Sequence, residues 1–411
     1  MNSHPIISFD NTEIAFAYKS DKDLKRANFL FSAMGVNWLV NLGSRMLPGA
    51  IRAGLPLQGL LKSTIFKQFV GGETLAETAN VAATLGKYNV KVILDYGVEG
   101  GHNGEEGFDH ATEEFIRVIE YAATQNNVPF MSIKVTGFAR FGLLEKLDAA
   151  SSKESGYTGK VHTEMLTAEE KEEWNRVVER LKRICQVAHE KNIGVLVDAE
   201  ESWIQTPVDA ITMQMMAQYN HERPVVYNTI QLYRHDRLAF LKASYNTAVE
   251  NGFILGAKLV RGAYMEKERQ RAADLGYPSP IQPDKEATDR DYNKGVKFCM
   301  EHLQNIALIV ASHNEYSNKY AAELAIEKGY SLDNPHIHFS QLYGMSDHIT
   351  FNLANAGCAV SKYLPFGPVK DVVPYLVRRA QENSSVAGQT GRELSLIRKE
   401  MKRRKQASGK G

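Results

Sequence analysis

The chain has 411 residues, 43% hydrophobic and 24% charged, with 31 Gly and 13 Pro. These figures exclude a disordered chain, a collagen-like repeat and a disulfide-stapled miniprotein. With 49 Lys+Arg against 48 Asp+Glu the net charge is +1, and only the extreme C-terminus carries the basic excess a nucleic-acid binder needs.

At ~150 residues per domain the length suggests two or three domains, although one (βα)₈ barrel takes about 250 residues and more with insertions. Met1 to Asp10 has neither a basic nor an apolar leader segment, and reads as no secretory or transit signal. Cys185, Cys299 and Cys358 are odd in number and far apart, with no CxxC or zinc spacing. They are expected to be reduced thiols, as in the cytoplasm. No apolar run reaches membrane-spanning length, because Met46 to Val70 is broken by Pro48, Arg52, Pro56 and Lys62.

Residues 1–70 read as a helical arm of short pieces punctuated by Gly and Pro, with no strand pattern. After Gly71-Gly72 short apolar runs alternate with amphipathic helices. The predicted strands are Val90–Asp95, Phe130–Thr136, Gly194–Asp198, Val225–Gln231, Gly256–Val260, Ala307–Ser312, His336–Ser340 and Cys358–Tyr363. Several are continuously apolar, as strands buried on both faces of a parallel sheet are. Val118, Ile119 and Ala122 mark a helix after the first strand. Thr167 with Glu170 makes a capping box ahead of the stripe Trp174, Val177, Val178, Leu181, Ile184 and Cys185. Gly252 and Gly329 suit helix C-termini, and Ala149–His162 reads as a polar surface insertion. Met213, Met215 and Met216 read as core filler. Eight strand–helix units favour a closed barrel over 71–390, with an open doubly wound sheet as the alternative.

Active sites of such barrels lie at the carboxyl ends of the strands. Those ends carry Asp95, Lys134, Asp198 with Glu200 and Glu201, Gln231, Lys258 with Arg261, Ser312-His313-Asn314, Gln341 and Tyr363. Lys134 and Lys258 within apolar runs either serve a site or snorkel outward. After the eighth strand Pro374 fits the opening turns of a helix. Its Val369, Val372, Val373, Leu376 and Ala380 make an apolar face, while Tyr375, Arg378, Arg379 and Glu382 share another. Two guanidiniums there suit a bound carboxylate, and a solvated face with an Arg378–Glu382 pair is the plainer alternative.

Gly100 to Gly107 is glycine-rich, but Glu105 and Glu106 would repel phosphate and no apolar helix is expected to open there, so it is no dinucleotide fingerprint. His336 and His338 share a strand face without a carboxylate cluster, and no metal site is expected. The tail over 391–411 has eight basic residues and two acidic ones from Arg392 to Lys410. It reads as a frayed solvated helix, with contact to a membrane surface as the lesser alternative.

The ordered segments Met131-Ser132-Ile133-Lys134, Val197-Asp198-Ala199-Glu200-Glu201, Lys258-Leu259-Val260-Arg261-Gly262-Ala263-Tyr264, Ser312-His313-Asn314, Gln341-Leu342-Tyr343-Gly344-Met345, Lys362-Tyr363-Leu364-Pro365-Phe366-Gly367-Pro368 and Tyr375-Leu376-Val377-Arg378-Arg379-Ala380-Gln381-Glu382-Asn383 resemble the signatures of the proline dehydrogenase family. Gln68 to Glu73 extends the match upstream, and the length suits the monofunctional form.

The resemblance implies a distorted (βα)₈ TIM barrel holding FAD, with the last helix over the barrel mouth. It implies oxidation of L-proline to Δ1-pyrroline-5-carboxylate, hydride passing from C5 to flavin N5 and electrons onward to a membrane quinone. By motif, Lys134, Arg378 and Arg379 bind the substrate carboxylate, and Tyr363, Tyr375 and Leu342 shape the ring pocket. Asp198 and Lys258 stand at the reacting centre, with Asp198 orienting Lys134 or Tyr363. Ala199, Gln231, Arg261, Gly262, Ala263, Ser312, His313 and Glu382 contact FAD. This chain has Lys258 where some members have Arg, and Arg261 where they have Lys. A hydroxyproline dehydrogenase is the alternative inside the family, which retention of Tyr363 disfavours. A Schiff-base aldolase using Lys134 or Lys258 is the alternative outside it, and a non-catalytic ligand-binding barrel is a third. The expected location is the cytoplasm, with any membrane contact peripheral at the inner membrane.

Overall fold

Apolar runs form strands when both faces are covered, and all eight predicted runs do so, with ends shifted by a few residues. The computed structural model describes residues 7–34, 59, 62–97, 104–151, 161–385 and 387–408. Helices α1 (Thr12–Ala15) and α2 (Asp21–Met34) come first. A π-helical turn at Lys62–Phe66 and the helical turn Lys67–Phe69 then lead to α3 (Leu75–Gly86).

Strand and helix alternate from there. The first half runs β1 (Val90–Tyr96), α4 (Gly104–Ala123), β2 (Phe130–Ile133), α5 (Phe141–Ser151), α6 (Ala168–Lys191), β3 (Gly194–Val197), α7 (Gln205–Tyr219) and β4 (Val226–Gln231). The second runs α8 (Arg237–Glu250), β5 (Leu255–Val260), α9 (Met265–Leu275), α10 (Lys285–Glu301), β6 (Ile306–Ala311), α11 (Glu315–Glu327), β7 (Ile337–Leu342), α12 (Asp347–Asn355) and β8 (Val360–Phe366). Helices α13 (Val369–Ser385) and α14 (Ala387–Ser408) follow. The strands close into a barrel in the order β1 to β8, not into an open sheet.

By packing, the chain divides into two units, Val98–Phe339 and Met1–Gly97 with Ser340–Gly411. In the first unit β2 to β6 pair in parallel, with Phe130 opposite Gly194, Val197 opposite Asn228 and Thr229 opposite Lys258. Helix α6 starts with the expected Thr167–Glu170 capping box and buries Trp174, Val177, Leu181, Ile184 and Cys185. Met213, Met215 and Met216 are buried, and Gly252 takes a left-handed φ of 68° and Gly329 one of 75°. Helix α5 runs through Ser151 into the stretch 149–162, whose residues 152–160 lie outside the described residues.

One expectation is overturned at Gly104, where the glycine-rich segment does open an amphipathic helix. Helix α4 buries Phe108, Ala111, Phe115, Val118 and Ile119. The first-turn residue Glu105 is held there by Arg176 at 2.8 Å and Arg180 at 2.5 Å.

In the second unit β1 pairs with β8, Val90 opposite Val360 and Tyr96 opposite Phe366. Its apolar cluster joins Phe16 before α2, Leu24 and Phe31 of α2, Phe69, Val372 and Leu376 of α13, and Leu396 and Ile397 of α14. Pro374 lies in the second turn of α13, which starts at Val369.

The tail is also not a frayed solvated helix. Burying Leu396 and Ile397 yields roughly 1.5–3 kcal/mol each, and Arg392, Arg398, Arg403 and Arg404 are partnered within the chain. Glu400 is 0% exposed and takes bonds from Arg403 at 2.8 Å and Arg404 at 2.8 Å. Arg404 also donates to the carbonyls of Lys19 and Phe16 at 2.9 Å each. Among the described residues no helix is long and apolar enough to cross a membrane.

Candidate active site

Parallel strands leave their last carbonyls and first loop residues at one end, where side chains bond from strand to strand. Lys134 follows β2 as the cap of a single 3₁₀ turn, and Asp198 follows β3. The Asp198 backbone N–H donates to the Ile133 carbonyl at 2.8 Å, which locks the two ends together. Asp198 Oδ1 accepts from Lys258 Nζ, and Oδ2 accepts from Lys134 Nζ at 3.5 Å. The Lys258 side chain is 6% exposed and that of Lys134 20%. Neither lysine snorkels away from the strand ends. Two ammoniums share one carboxylate, so this cluster carries an excess positive charge suited to an anion.

Sequence reasoning missed how tightly the residues after Asp198 are held. The Glu200 backbone N–H donates to Gln205 Oε1 at 3.1 Å, and its carbonyl accepts from Gln231 Nε2 at 2.6 Å. Its carboxylate takes the Thr136 hydroxyl at 2.8 Å. Burial lifts the Glu200 carboxyl to about 7, with Glu201 and Asp198 adding to the rise against Lys134 and Thr136.

Behind Gln205 stands Asp209, 2% exposed. It accepts from Gln205 at 2.8 Å, Asn228 at 2.9 Å and Arg237 at 2.6 Å. Next along, Glu268 clamps Ser202, accepting its N–H at 2.6 Å and its hydroxyl at 2.7 Å. The signal available in the sequence was the acidic run Asp198 to Glu201 itself.

Arg261, Gly262 and Ala263 follow β5, and Ser312 and His313 follow β6. The Arg261 guanidinium donates to Asp289 at 3.0 Å, Ser312 at 2.7 Å and Ser317 at 2.7 Å, and lies 3.8 Å over the Tyr292 ring. Three N–H groups are used in this way, and the fork carries more. Asn314 caps α11 and fixes the turn that presents His313. With Gln231 at the end of β4, adjacent strand ends present an amide, a guanidinium, a hydroxyl and an imidazole. That donor set fits a cofactor rich in phosphate and carbonyl acceptors.

His336 Nδ1 hydrogen-bonds the Leu303 carbonyl at 2.8 Å, and the His338 ring packs on Phe130.

The second unit holds the other sequence candidates. Leu342 ends β7 and Tyr363 sits in β8, tied by the Tyr343 N–H donating to the Tyr363 carbonyl at 2.8 Å. On α13, Arg379 lies 5.1 Å over the Tyr375 ring and is 6% exposed, so it does not belong to a solvated stripe. Arg378 is partly buried, and the Glu382 side chain lies outside the described residues.

A buried ionic group that sequence reasoning did not find stands behind Tyr363. Lys362 is 0% exposed and pairs with Asp347 at 2.9 Å, which also takes the Tyr18 hydroxyl at 2.9 Å and Lys19 at 3.4 Å. Burial would raise the Asp347 carboxyl, but the two ammoniums hold it down at about 2. Burial pushes the Lys362 ammonium down.

Residues 78–392 match the family model described as proline dehydrogenase. The chain is 32% identical to mitochondrial proline dehydrogenase 1 of Dictyostelium discoideum, over 96% of this chain and 74% of the relative. It is 33% identical to mitochondrial proline dehydrogenase 2 of Arabidopsis thaliana, over 97% of this chain and 91% of the relative. It is 34% identical to hydroxyproline dehydrogenase of Xenopus laevis, over 95% and 88%. Among solved structures, proline utilization A of Bdellovibrio bacteriovorus shares the fold with a TM-score of 0.68 at 20% identity. The superposition covers 94% of this chain, which spans 40% of that structure.

Proposed function

Because the chain belongs to the proline dehydrogenase family, we propose that it oxidises L-proline to Δ1-pyrroline-5-carboxylate with FAD as its cofactor. The observation that carries the reading is the Lys258–Asp198–Lys134 cluster, a part-buried, positively charged set at three strand ends. When bound, FAD supplies the acceptor for the hydride that leaves C5 of the substrate.

The protein's part is to bind, orient and exclude water. Lys134, Arg378 and Arg379 hold the proline carboxylate, and Leu342, Tyr363 and Tyr375 wall the ring. Asp198 fixes Lys258 and Lys134 so that neither cation drifts; it need not act as a base. The amine must be neutral to lose hydride, and a cationic, water-poor site favours that form as it lowers a buried lysine's pKa. Loss of the N–H proton and the C5 hydride then leaves the cyclic imine.

Arg261, Ser312, His313 and Gln231 hold the cofactor, with Ala199, Gly262, Ala263 and Glu382 as further contacts. The electrons pass on to a quinone at a membrane surface, and the protein works from the cytoplasmic side of that membrane.

A Schiff-base aldolase needs a neutral lysine amine, whereas Lys258 is tied to a carboxylate. The test is the visible spectrum of purified protein. Flavin bands that bleach on adding L-proline are expected, and a colourless protein that reduces no dye overturns the reading. A higher kcat/KM for 4-hydroxyproline than for proline would replace it with the hydroxyproline reading. Arg379→Met should raise KM for proline more than tenfold with flavin content unchanged, and loss of flavin instead would reassign that arginine.

A further inference from the structure

The turn that joins β7 to α12 is built in an unfavourable conformation and is held by side chains from elsewhere. Gly344 has φ +80° and Ser346, a residue with a side chain, has φ +51°. A Cβ on Gly344 would stand 2.0 Å from the Gln68 carbonyl oxygen, so the turn is pressed against the segment before α3. Its polar groups are satisfied from three directions. Gln68 Nε2 donates to the Gly344 carbonyl at 2.8 Å, and the Ser346 N–H donates to Glu393 of α14 at 2.8 Å. Lys362 Nζ donates to the Met345 carbonyl at 2.5 Å and lies 3.5 Å from that of Leu342.

Lys362 is the unusual member. A fully buried ammonium is costly, and a buried ion pair is often no more stable than an apolar pair of the same volume. What the ion adds here is direction. It fixes two carbonyls of the turn to β8 at the residue before Tyr363, while Asp347 fixes the ammonium. Asp347 is in turn held by Tyr18 and Lys19 of the segment between α1 and α2.

We propose that Lys362, clamped by Asp347, is a positioning residue that sets Leu342 and Tyr363 at a fixed spacing as opposite walls of the proline-ring pocket. The inference rests on the ring-pocket roles given to those two residues under the proposed function. It makes the Tyr18–Lys19 segment part of the apparatus that sets substrate fit.

The test uses full-length holoenzyme and steady-state kinetics. In Lys362→Met, KM for L-proline should rise at least fivefold with kcat within twofold. The preference for proline over 4-hydroxyproline in kcat/KM should fall by a similar factor, with flavin content unchanged. Should that variant fail to fold, Lys362→Met combined with Asp347→Asn carries the test. It removes both charges of that pair and keeps an amide oxygen as acceptor for Tyr18 and Lys19, so no lone buried carboxylate is left opposite the lost ammonium. Wild-type KM and wild-type discrimination in the folded pair variant overturn the proposal, whatever happens to the melting temperature. Leu342→Ala separates the two failures. If it shifts KM while the pair variant does not, only the clamp is wrong; if it shifts nothing, the pocket assignment fails and takes the clamp with it.

Discussion

Removing the Asp209 carboxylate while keeping its branched heavy-atom outline, as in Asp209→Leu, strikes the node that holds the Asp198–Glu200 segment. Asp209 and Arg237 have side chains 3% and 8% exposed and lie 2.6 Å apart. Breaking a buried pair from one side costs about 3–5 kcal/mol. The lower end applies, because Arg237 keeps Asp236 at 3.0 Å. Gln205 and Asn228 each lose an acceptor, at about 1 kcal/mol apiece. The expected loss is therefore about 5 kcal/mol, a large share of the 5–15 kcal/mol typical of a folded protein. Arg237→Met added to Asp209→Leu removes the stranded cation and should restore about 3 kcal/mol of that loss. Equilibrium urea unfolding followed by circular dichroism reads both variants. Because Gln205 then no longer fixes the Glu200 N–H, kcat/KM for proline should fall in both, including the restabilised one. A single variant costing under about 1 kcal/mol, or a pair variant no more stable than the single, refutes the argument.

Glu200 binds its proton more tightly folded than unfolded, so between about 4.5 and about 7 the native state holds more protons and stability falls as pH rises. Below that window the group costs nothing, and above it the penalty is complete, up to about 3 kcal/mol and less with residual hydration. Glu200→Gln mimics the neutral form, so its melting temperature should exceed wild type at pH 8 and match it at pH 4; parallel curves would dismiss the shift. Gly344→Ala must hold a left-handed backbone and push aside the Gln68 carbonyl. It should lose several kcal/mol in urea unfolding, and a cost below about 1 kcal/mol would show that the turn yields. Burial pushes the Cys358 thiol up to about 12 and raises Cys185 and Cys299 too. An aromatic disulfide reagent at pH 8 should therefore label none of the three until denaturant is added, and fast labelling of native protein would contradict their burial.

What the sequence discloses here is whatever has a short period. Alternating strands and helices, the Thr167 capping box and the left-handed glycines at 252 and 329 are local patterns, and each stands where the pattern places it. Polar residues at strand ends are legible for the same reason, since the end of an apolar run is itself a local mark. Partnership across the chain has no such mark. Asp347 looks like an ordinary helix-opening acid, yet its hydroxyl partner Tyr18 lies 329 positions away. The tail shows how this misleads. Arg403 and Arg404 with Glu400 have the i, i+3, i+4 spacing of a solvated stripe worth a few tenths of a kcal/mol. The acid is nevertheless fully buried, because Arg404 also caps the carbonyls of Phe16 and Lys19. Spacing reports which residues share a face and leaves open whether water or protein covers it. The whole-chain charge of +1 has the same weakness. It sums surface pairs, which salt and water nearly cancel, with Lys258–Asp198–Lys134 and Lys362–Asp347, which water does not. For a candidate site made of buried ions, the decisive quantity is the local imbalance inside the low-dielectric interior, and that follows only from which carboxylate each cation reaches.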